Sequence, residues 1–332
     1  MKHLRFLALL LVVLVAVTGC GKRDGQVSSL PEVVSSVPPV ASMPAEESRN
    51  LPSDVEDFTS DLEEDTSKVV DKAESLGEDL IGDGSDISDV KSTTTMSGDF
   101  AKFAAFNAEK KEWGSGGPTD DKLRPDGCTL YQKRYGDYSA YFIYPEEQRI
   151  YLTFDEGYEN GYTPQILDTL LDHQVKAVFF ITYDFAKTQP ELVKRMINEG
   201  HTIGNHSTKH LSFPTMPIDE AAADLQNLHD YVLKNFGYNM TLFRFPMGEF
   251  SEQTLALAQS MGYKSIFWSF AYADYNINNQ PDPQASLKKI VDKAHPGAIY
   301  LLHAVSKTNA DILDEAIASL KLKGYTFSLL DA

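Results

Sequence analysis

The hydrophobic pattern of the C-terminal half of the chain alternates short apolar runs with longer amphipathic ones. The short runs are rich in β-branched and aromatic residues and predict strands at residues 150–154, 176–182, 202–205, 242–246, 263–268, 298–302 and 325–329. The segments between them predict helices at about 163–173, 190–199, 217–236, 251–261, 283–294 and 308–321. Repeated strand–helix units favour a mostly parallel sheet that closes, or nearly closes, into a barrel with helices outside.

The start of the chain has the pattern of an export signal. Basic residues at 2–5 precede an apolar run at 6–17, which is too short for a comfortable transmembrane span. The following Val-Thr-Gly-Cys20 is similar to the lipobox of bacterial lipoproteins, in which the cysteine carries lipid. We therefore expect a signal peptide at 1–19, lipidation of Cys20 and an extracytoplasmic, membrane-anchored lipoprotein of a Gram-positive bacterium. An uncleaved membrane anchor is the alternative.

Residues 20–97 differ in composition from the rest of the chain. They are rich in Ser, Pro, Asp and Glu and poor in aromatic residues, so they cannot bury enough apolar surface to offset the entropy of ordering. We interpret them as a disordered acidic stalk that extends because like charges repel. The net charge of the whole chain is -18, which argues against a nucleic-acid partner.

The predicted folded region begins where aromatic residues return. We expect an N-terminal extension at 98–148 that packs on a catalytic domain at 149–332. Only two cysteines, Cys20 and Cys128, are present, too few for a disulfide framework. We expect Cys128 to be a lone structural thiol and the protein to be a monomer.

Ionisable residues follow the carboxyl ends of five predicted strands. In chain order they are Asp155 and Glu156, His206 and His210, Arg244, Asp274, and His303. Functional groups of α/β barrels collect on this face, because the loops after the strands converge there. His206 and His210 are four residues apart, so one helical turn would present both imidazoles on one side. Two histidines and a carboxylate form a common open metal site.

These segments resemble carbohydrate esterase family 4, the polysaccharide deacetylases with a NodB homology domain. The matching segments are Thr153–Gly157 (Thr-Phe-Asp-Glu-Gly), His206–His210 (His-Ser-Thr-Lys-His), Arg244–Gly248 (Arg-Phe-Pro-Met-Gly), Ala271–Tyr275 and Ile299–His303. The resemblance covers about residues 149–332 and implies a distorted (β/α) barrel of the NodB type, with about seven parallel strands and outer helices.

Longer strings narrow the resemblance to one branch of the family. They are Gly157–Pro164, Ile277–Gln280 and His295–His303, and they resemble the delta-lactam-biosynthetic de-N-acetylases. That branch acts on muramic acid residues of peptidoglycan, notably in spore cortex formation. The resemblance implies metal-dependent hydrolysis of N-acetyl groups, with peptidoglycan glycan strands as the partner. Deacetylation of N-acetylglucosamine, O-deacetylation of another polysaccharide, and a non-catalytic glycan-binding module are the alternatives.

The resemblance also implies a role for each candidate residue. Asp155 would be the general base and His303 the general acid, while Arg244 would keep Asp155 ionised and Asp274 would anchor Arg244. His206 and His210 would bind a divalent metal, zinc by preference, with manganese or cobalt as alternatives. The predicted substrate contacts are Tyr158, Pro246, Tyr275 and Leu301.

Three positions depart from the family pattern. Glu156 replaces the aspartate that the family uses as a metal ligand, so it either binds a shifted metal or drops out of the site. Ala271 replaces the first aspartate of the fourth motif, as in the de-N-acetylase branch, and Tyr275 replaces its tryptophan.

Overall fold

The computed structural model describes residues 99–330. The predicted signal peptide, Cys20 and the whole of the predicted stalk lie outside these residues. Among the helices of the described part, none has both the length and the apolar character needed to cross a bilayer.

Two kinds of strand pairing occur in the described part of the chain. Its strands are β1 Lys111–Glu112, β2 Ala140–Tyr141, β3 Arg149–Glu156, β4 Val178–Ile181, β5 Thr202–Asn205, β6 Leu242–Phe243, β7 Glu249–Phe250, β8 Lys264–Ile266, β9 Ala298–His303 and β10 Thr326–Phe327. Strands β1 and β7 form an antiparallel pair. The other eight form one sheet whose pairings are all parallel.

The parallel sheet curls until its two ends nearly meet. Its order is β2-β8-β6-β5-β4-β3-β9, with β10 beside the first residues of β3. A parallel bridge between Phe270 and Tyr300 brings the chain beyond β8 alongside β9. The predicted distorted barrel is therefore confirmed, and it contains the seven predicted strands together with the short β2.

Helices cover the outside of the sheet. They are α1 Asp126–Tyr135, α2 Thr163–Asp172, α3 Tyr183–Thr188, α4 Pro190–Asn198, α5 Ile218–Phe236, α6 Glu252–Ser260, α7 Pro283–Asp292 and α8 Lys307–Leu322, with 3-10 turns at Phe100–Ala105, Gly136–Tyr138, Phe213–Thr215 and Pro246–Gly248. All six predicted helices are found, each within two residues of its predicted bounds. The helices α1 and α3 were not predicted. Helix α3 has only six residues, and α1 buries only Cys128 and Tyr135, so neither displays a clear helical period.

Residues 99–148 close the β8 side of the barrel. Strand β2 pairs with β8, and the Trp113 indole donates a hydrogen bond of 2.9 Å to the carbonyl oxygen of Trp268. The rings of Phe142 and Phe267 stack with centroids 4.2 Å apart. Cys128 is fully buried with a free thiol, as predicted, and burial raises its pKa to about 12.

Successive side chains of β3 face two different hydrophobic clusters. Tyr151 belongs to a small cluster that also contains Phe180 and Ile299 and fills the inside of the barrel. Leu152 and Phe154 belong to the larger cluster between the sheet and the helices. Since side chains alternate along a strand, Asp155 continues the inner row and Glu156 continues the outer row.

The position of Glu156 does not support its predicted role as a metal ligand. Its side chain is fully buried on the helix-facing side, and neither carboxylate oxygen has a hydrogen-bond partner. Burial raises its pKa well above the ordinary value, and the charges of Glu159 and Asp155 raise it further. The period of two along β3, which the prediction overlooked, is the physical reason that adjacent acids occupy different environments.

We expect Glu156→Gln to stabilise the protein increasingly as the pH rises. The pKa of Glu156 is higher in the folded state than in the unfolded state, so above the unfolded pKa the unfolded chain ionises first and Glu156 destabilises the fold. Glutamine stays neutral, and each pKa unit of difference is worth about 1.4 kcal/mol. Urea unfolding at pH 4 and pH 8 measures this, with Glu315→Gln on the exposed face of α8 as control. An equal change in the free energy of unfolding by Glu156→Gln at both pH values would contradict a neutral Glu156 in the folded protein.

A second expectation concerns the junction that leads into β9. Gly297 has φ +73°, and an added Cβ would lie far inside contact distance of the carbonyl oxygens of Tyr144 and Pro145. Gly297→Ala should therefore lower the free energy of unfolding by about 3 kcal/mol or more. Gly262→Ala is the matched control, because Gly262 has φ +87° but open space around its Cβ position, and should cost about 1–2 kcal/mol. Equal losses of unfolding free energy in the two variants would show that the backbone around Gly297 moves to relieve the clash.

Candidate active site

A cavity of about 520 Å³ opens at the carboxyl ends of the parallel strands. Its polar lining is formed by Asp155, His206, His210 and His303, and its apolar lining includes Tyr158, Phe245, Met247, Trp268, Tyr275 and Leu301. The structure thus brings seven of the predicted site residues together around one space. Arg244 and Asp274 lie behind this lining and are fully buried.

Arg244 holds the Asp155 carboxylate from below the cavity. Its Nη1 donates to Asp155 Oδ1 at 2.7 Å, and its Nε and Nη2 donate to the carbonyl oxygens of Ile266 and Phe267 at 3.0 and 3.3 Å. Its guanidinium also lies 4.2 Å from the ring centre of Phe180, a cation–π contact.

The charge state of Asp155 follows from this pairing. Burial alone would raise the pKa of Asp155, but the charges of Arg244, His206 and His303 outweigh it, and the pKa lies below its ordinary value. A carboxylate that stays ionised inside a cavity is suited to accept a proton.

His206 and His210 lie in a loop after β5 and not in the helical turn that their spacing predicted. This loop is held from beneath by hydrogen bonds. Asp224 of α5 accepts hydrogen bonds from the backbone N–H groups of Thr208 and Lys209 at 2.8 and 3.1 Å. The Asn205 side chain accepts from Ser207 N at 2.8 Å. These contacts stabilise the left-handed backbone of Ser207 and of His210, which have φ 73° and 52°.

The imidazoles of His206 and His210 present their Nε2 atoms to each other at 3.2 Å. His206 Nδ1 lies 2.9 Å from the carbonyl oxygen of Arg244, which only accepts, so Nδ1 carries the proton and Nε2 has a lone pair. Burial lowers the pKa of His206 to about 4 and also lowers that of His210. Both rings are therefore neutral at physiological pH.

This donor set fits a divalent metal ion. Two neutral imidazole nitrogens that face each other at 3.2 Å repel unless a proton or a cation lies between them, and neutral imidazole is a preferred ligand of zinc. The structure has, among residues 99–330, no group of three or more His, Cys, Asp and Glu side chains placed to hold an ion. The protein would supply two histidine ligands, and the other positions would be open to water and substrate.

Asp274 pairs with His303 rather than with Arg244, which corrects the prediction. Its Oδ1 lies 2.7 Å from His303 Nδ1, and its Oδ2 accepts from the His303 backbone N–H at 2.9 Å. Arg244 instead donates to Asp155 and to the backbone carbonyl oxygens of Ile266 and Phe267.

The pairing decides the protonation of His303. Burial lowers the pKa of His303, but the hydrogen bond and charge of Asp274 and the charge of Asp155 outweigh it, so the pKa is raised. Since Nδ1 donates to Asp274, the second proton that His303 carries in its charged form lies on Nε2 and faces the cavity, as a general acid requires.

The apolar wall of the cavity contains residues that the sequence analysis did not single out. Trp268 is only 8% exposed yet lines the cavity. Met247, which is 54% exposed with φ 59°, and Phe245 line it in place of the predicted Pro246. Pro246 is buried, because it begins the turn that points its two neighbours at the cavity. Phe245 and Met247 lie within the Arg244–Gly248 motif, which was the available signal for them.

Comparison with known proteins places the same residues in a family context. The family model described as polysaccharide deacetylase matches residues 143–266. The peptidoglycan-N-acetylmuramic acid deacetylase PdaA of Bacillus subtilis is 42% identical over 238 residues, which cover 71% of this chain and 90% of PdaA. An uncharacterized 30.6 kDa protein of Geobacillus stearothermophilus is 47% identical over 209 residues, which cover 62% of this chain and 79% of that protein.

The solved structure of Bacillus subtilis PdaA, described as a family 4 carbohydrate esterase, is also similar. It superposes with a TM-score of 0.64 at 42% identity and covers 67% of this chain and 95% of the PdaA chain. The fold, the five motifs in order and this degree of identity agree, and the chain belongs to the polysaccharide deacetylase family, carbohydrate esterase family 4.

Proposed function

We propose that this protein removes N-acetyl groups from peptidoglycan glycan strands, with N-acetylmuramic acid as the preferred residue. The observation that carries the proposal is that a carboxylate suited to accept a proton, Asp155, and an imidazole suited to donate one, His303, line the same cavity. Asp155 has a lowered pKa, which favours the carboxylate that accepts a proton, and His303 has a raised pKa, which favours the imidazolium that donates one. The choice of sugar is supported by the similarity to PdaA, which is a peptidoglycan-N-acetylmuramic acid deacetylase.

Hydrolysis of an amide needs an activated water, stabilisation of a developing oxyanion and a proton for the departing amine. The chemistry that a divalent ion on His206 and His210 supplies is polarisation of the acetyl carbonyl and a lower pKa for a nearby water. Asp155 accepts the proton of the attacking water, and Arg244 keeps this carboxylate ionised and oriented. His303 donates its Nε2 proton to the leaving nitrogen while Asp274 holds the ring.

The rim of the cavity suits a sugar polymer. Tyr158 and Tyr275 are 50% and 61% exposed, and the Tyr275 ring meets the His303 ring edge-on with centroids 5.8 Å apart. Exposed aromatic faces pack against sugar rings while their hydroxyl groups remain hydrated. Leu301 and Trp268 form the apolar floor, where the methyl group of an acetyl substituent would be buried.

Several finer features belong to the same proposal. Zinc is the preferred ion because both protein ligands are imidazoles, with manganese or cobalt able to occupy so open a site. The lipobox-like Cys20 supports a lipid anchor, which would hold a monomeric enzyme on the outer side of the bacterial membrane, next to the cell wall.

Release of acetate from purified peptidoglycan tests the catalytic proposal. The wild-type protein should release acetate when Zn²⁺, Mn²⁺ or Co²⁺ is supplied, and Asp155→Asn should lower the rate by about 10²–10⁴-fold, because it removes the base. Mass spectrometry of defined glycan fragments then identifies the deacetylated sugar. Equal and negligible release by both proteins with every ion would reject catalysis and favour the glycan-binding alternative.

Metal affinity separates the histidine ligands from Glu156. Zn²⁺ titrated calorimetrically should bind His206→Gln and His210→Gln at least about 100-fold more weakly than wild type, because each loses a ligand. Glu156→Gln should bind Zn²⁺ as wild type does, since its carboxylate lies on the other side of β3. A comparable loss in Glu156→Gln would restore Glu156 to the ligand set.

A further inference from the structure

Asn309, on α8, lies behind the proposed general acid and makes two short contacts. Its side chain is only 1% exposed. Its Nδ2 lies 2.6 Å from Asp274 Oδ2 and 3.0 Å from the backbone carbonyl oxygen of His303. Both partners accept hydrogen bonds and neither donates, so the amide must present its NH₂ group to them. Asn309 therefore joins the carboxylate to the residue that the carboxylate orients.

The orientation of this amide is fixed from its other end. The Tyr272 hydroxyl donates to Asn309 Oδ1, and burial raises the pKa of Tyr272, so the hydroxyl keeps its proton. The Ser306 hydroxyl accepts from the Asn309 backbone N–H at 3.2 Å as the N-cap of α8. Asn309 is thus held by both its main chain and its side chain, and a rotation of the amide would break hydrogen bonds on both sides.

The loop that carries Asp274 is tied to the same helix start. Gln280 Nε2 donates to the carbonyl oxygen of Asp274 at 3.1 Å, and its Oε1 accepts from Ser306 Oγ and Thr308 N at 2.7 and 3.1 Å. The backbone of Asp274 is thereby positioned independently of Asn309. The Asn309 amide is therefore not needed to place the Asp274 backbone, and its effect on Asp274 is the hydrogen bond to the carboxylate.

The contact with Asn309 changes how strongly Asp274 attracts the His303 proton. Three N–H groups donate to this carboxylate, and only the one from Asn309 is independent of His303. A hydrogen bond to an ionised carboxylate stabilises its charge and lowers its basicity. A general acid works best when its pKa lies near the working pH, so an unmoderated Asp274 would hold the imidazole proton too tightly.

We propose that Asn309, oriented by Tyr272, is a positioning residue for the general acid that limits the pull of Asp274 on the His303 proton. The inference rests on the proposed function of His303. The other groups that face His303 are Asp155 from β3, Arg244 after β6, His210 from the loop after β5 and the Tyr275 ring. None of these groups donates one of the three hydrogen bonds to the Asp274 carboxylate, so Asn309 is the residue that lowers its attraction for the His303 proton.

The test measures the pKa of His303 directly. NMR titration of histidine-labelled protein, with the His303 signal assigned by its loss in His303→Gln, is compared between wild type, Asn309→Leu and Tyr272→Phe. Without the Asn309 donor, the anionic Asp274 is destabilised most when His303 is neutral, so the pKa of His303 should rise by about one unit in Asn309→Leu. It should rise less in Tyr272→Phe. Asn235→Leu, an exposed site on α5, is the matched control and should leave it unchanged.

Activity provides a second readout. In Asn309→Leu kcat for acetate release should fall by roughly two- to five-fold, the alkaline limb of the pH profile should move to higher pH, and KM should stay constant. Both changes should be smaller in Tyr272→Phe. Folded variants with an unchanged His303 pKa, or with a changed KM alone, would overturn the inference. If Asn309→Leu does not fold, Tyr272→Phe decides. A wild-type protein that releases no acetate rejects the proposed function, while the NMR titration still decides the role of Asn309.

Discussion

The ion pair between Asp155 and Arg244 is the interaction on which the rest of the site depends. A fully buried guanidinium is costly unless its charge and its donors are satisfied, and here Asp155 supplies the charge while Ile266 and Phe267 supply carbonyl acceptors. The backbone carbonyl of the same arginine accepts from His206 Nδ1 and thereby sets its tautomer. Arg244, directly after β6, therefore fixes Asp155 on β3, His206 after β5 and the end of β8.

The sequence predicted this arrangement as far as periodicity and strand ends allow. A barrel gathers the carboxyl ends of its strands on one face, so Asp155, His206, His210 and His303 were predicted to meet, and they do. The partners of the buried charges were not predictable in the same way. Arg244 follows β6 and Asp274 lies in the segment beyond the neighbouring β8, but sequence order does not say that Arg244 donates to Asp155 and to backbone carbonyls while Asp274 pairs with His303.

The short elements between residues 99 and 148 were also not predictable from the sequence, because their positions depend on tertiary partners. A two-residue strand such as β2 has no period to detect, and its position is set by its pairing with β8 rather than by its own residues. Trp113 likewise packs on the β8 side of the barrel, because its indole donates a hydrogen bond to the carbonyl oxygen of Trp268. Tertiary contacts of this kind are decided by the completed barrel, so local propensity carries little information about them.

The three acidic residues around the site have different electrostatic environments, which are set by their partners in the fold. Asp155 is ionised because a guanidinium faces it, and Asp274 stands against the His303 imidazole and the Asn309 amide. Glu156 has no such partner, and the negative charge of Asp155 is itself one cause of its raised pKa. The ionised Asp155 therefore helps to keep Glu156 neutral, and the two adjacent acids coexist on β3 because the alternation of the strand exposes only Asp155 to the cavity.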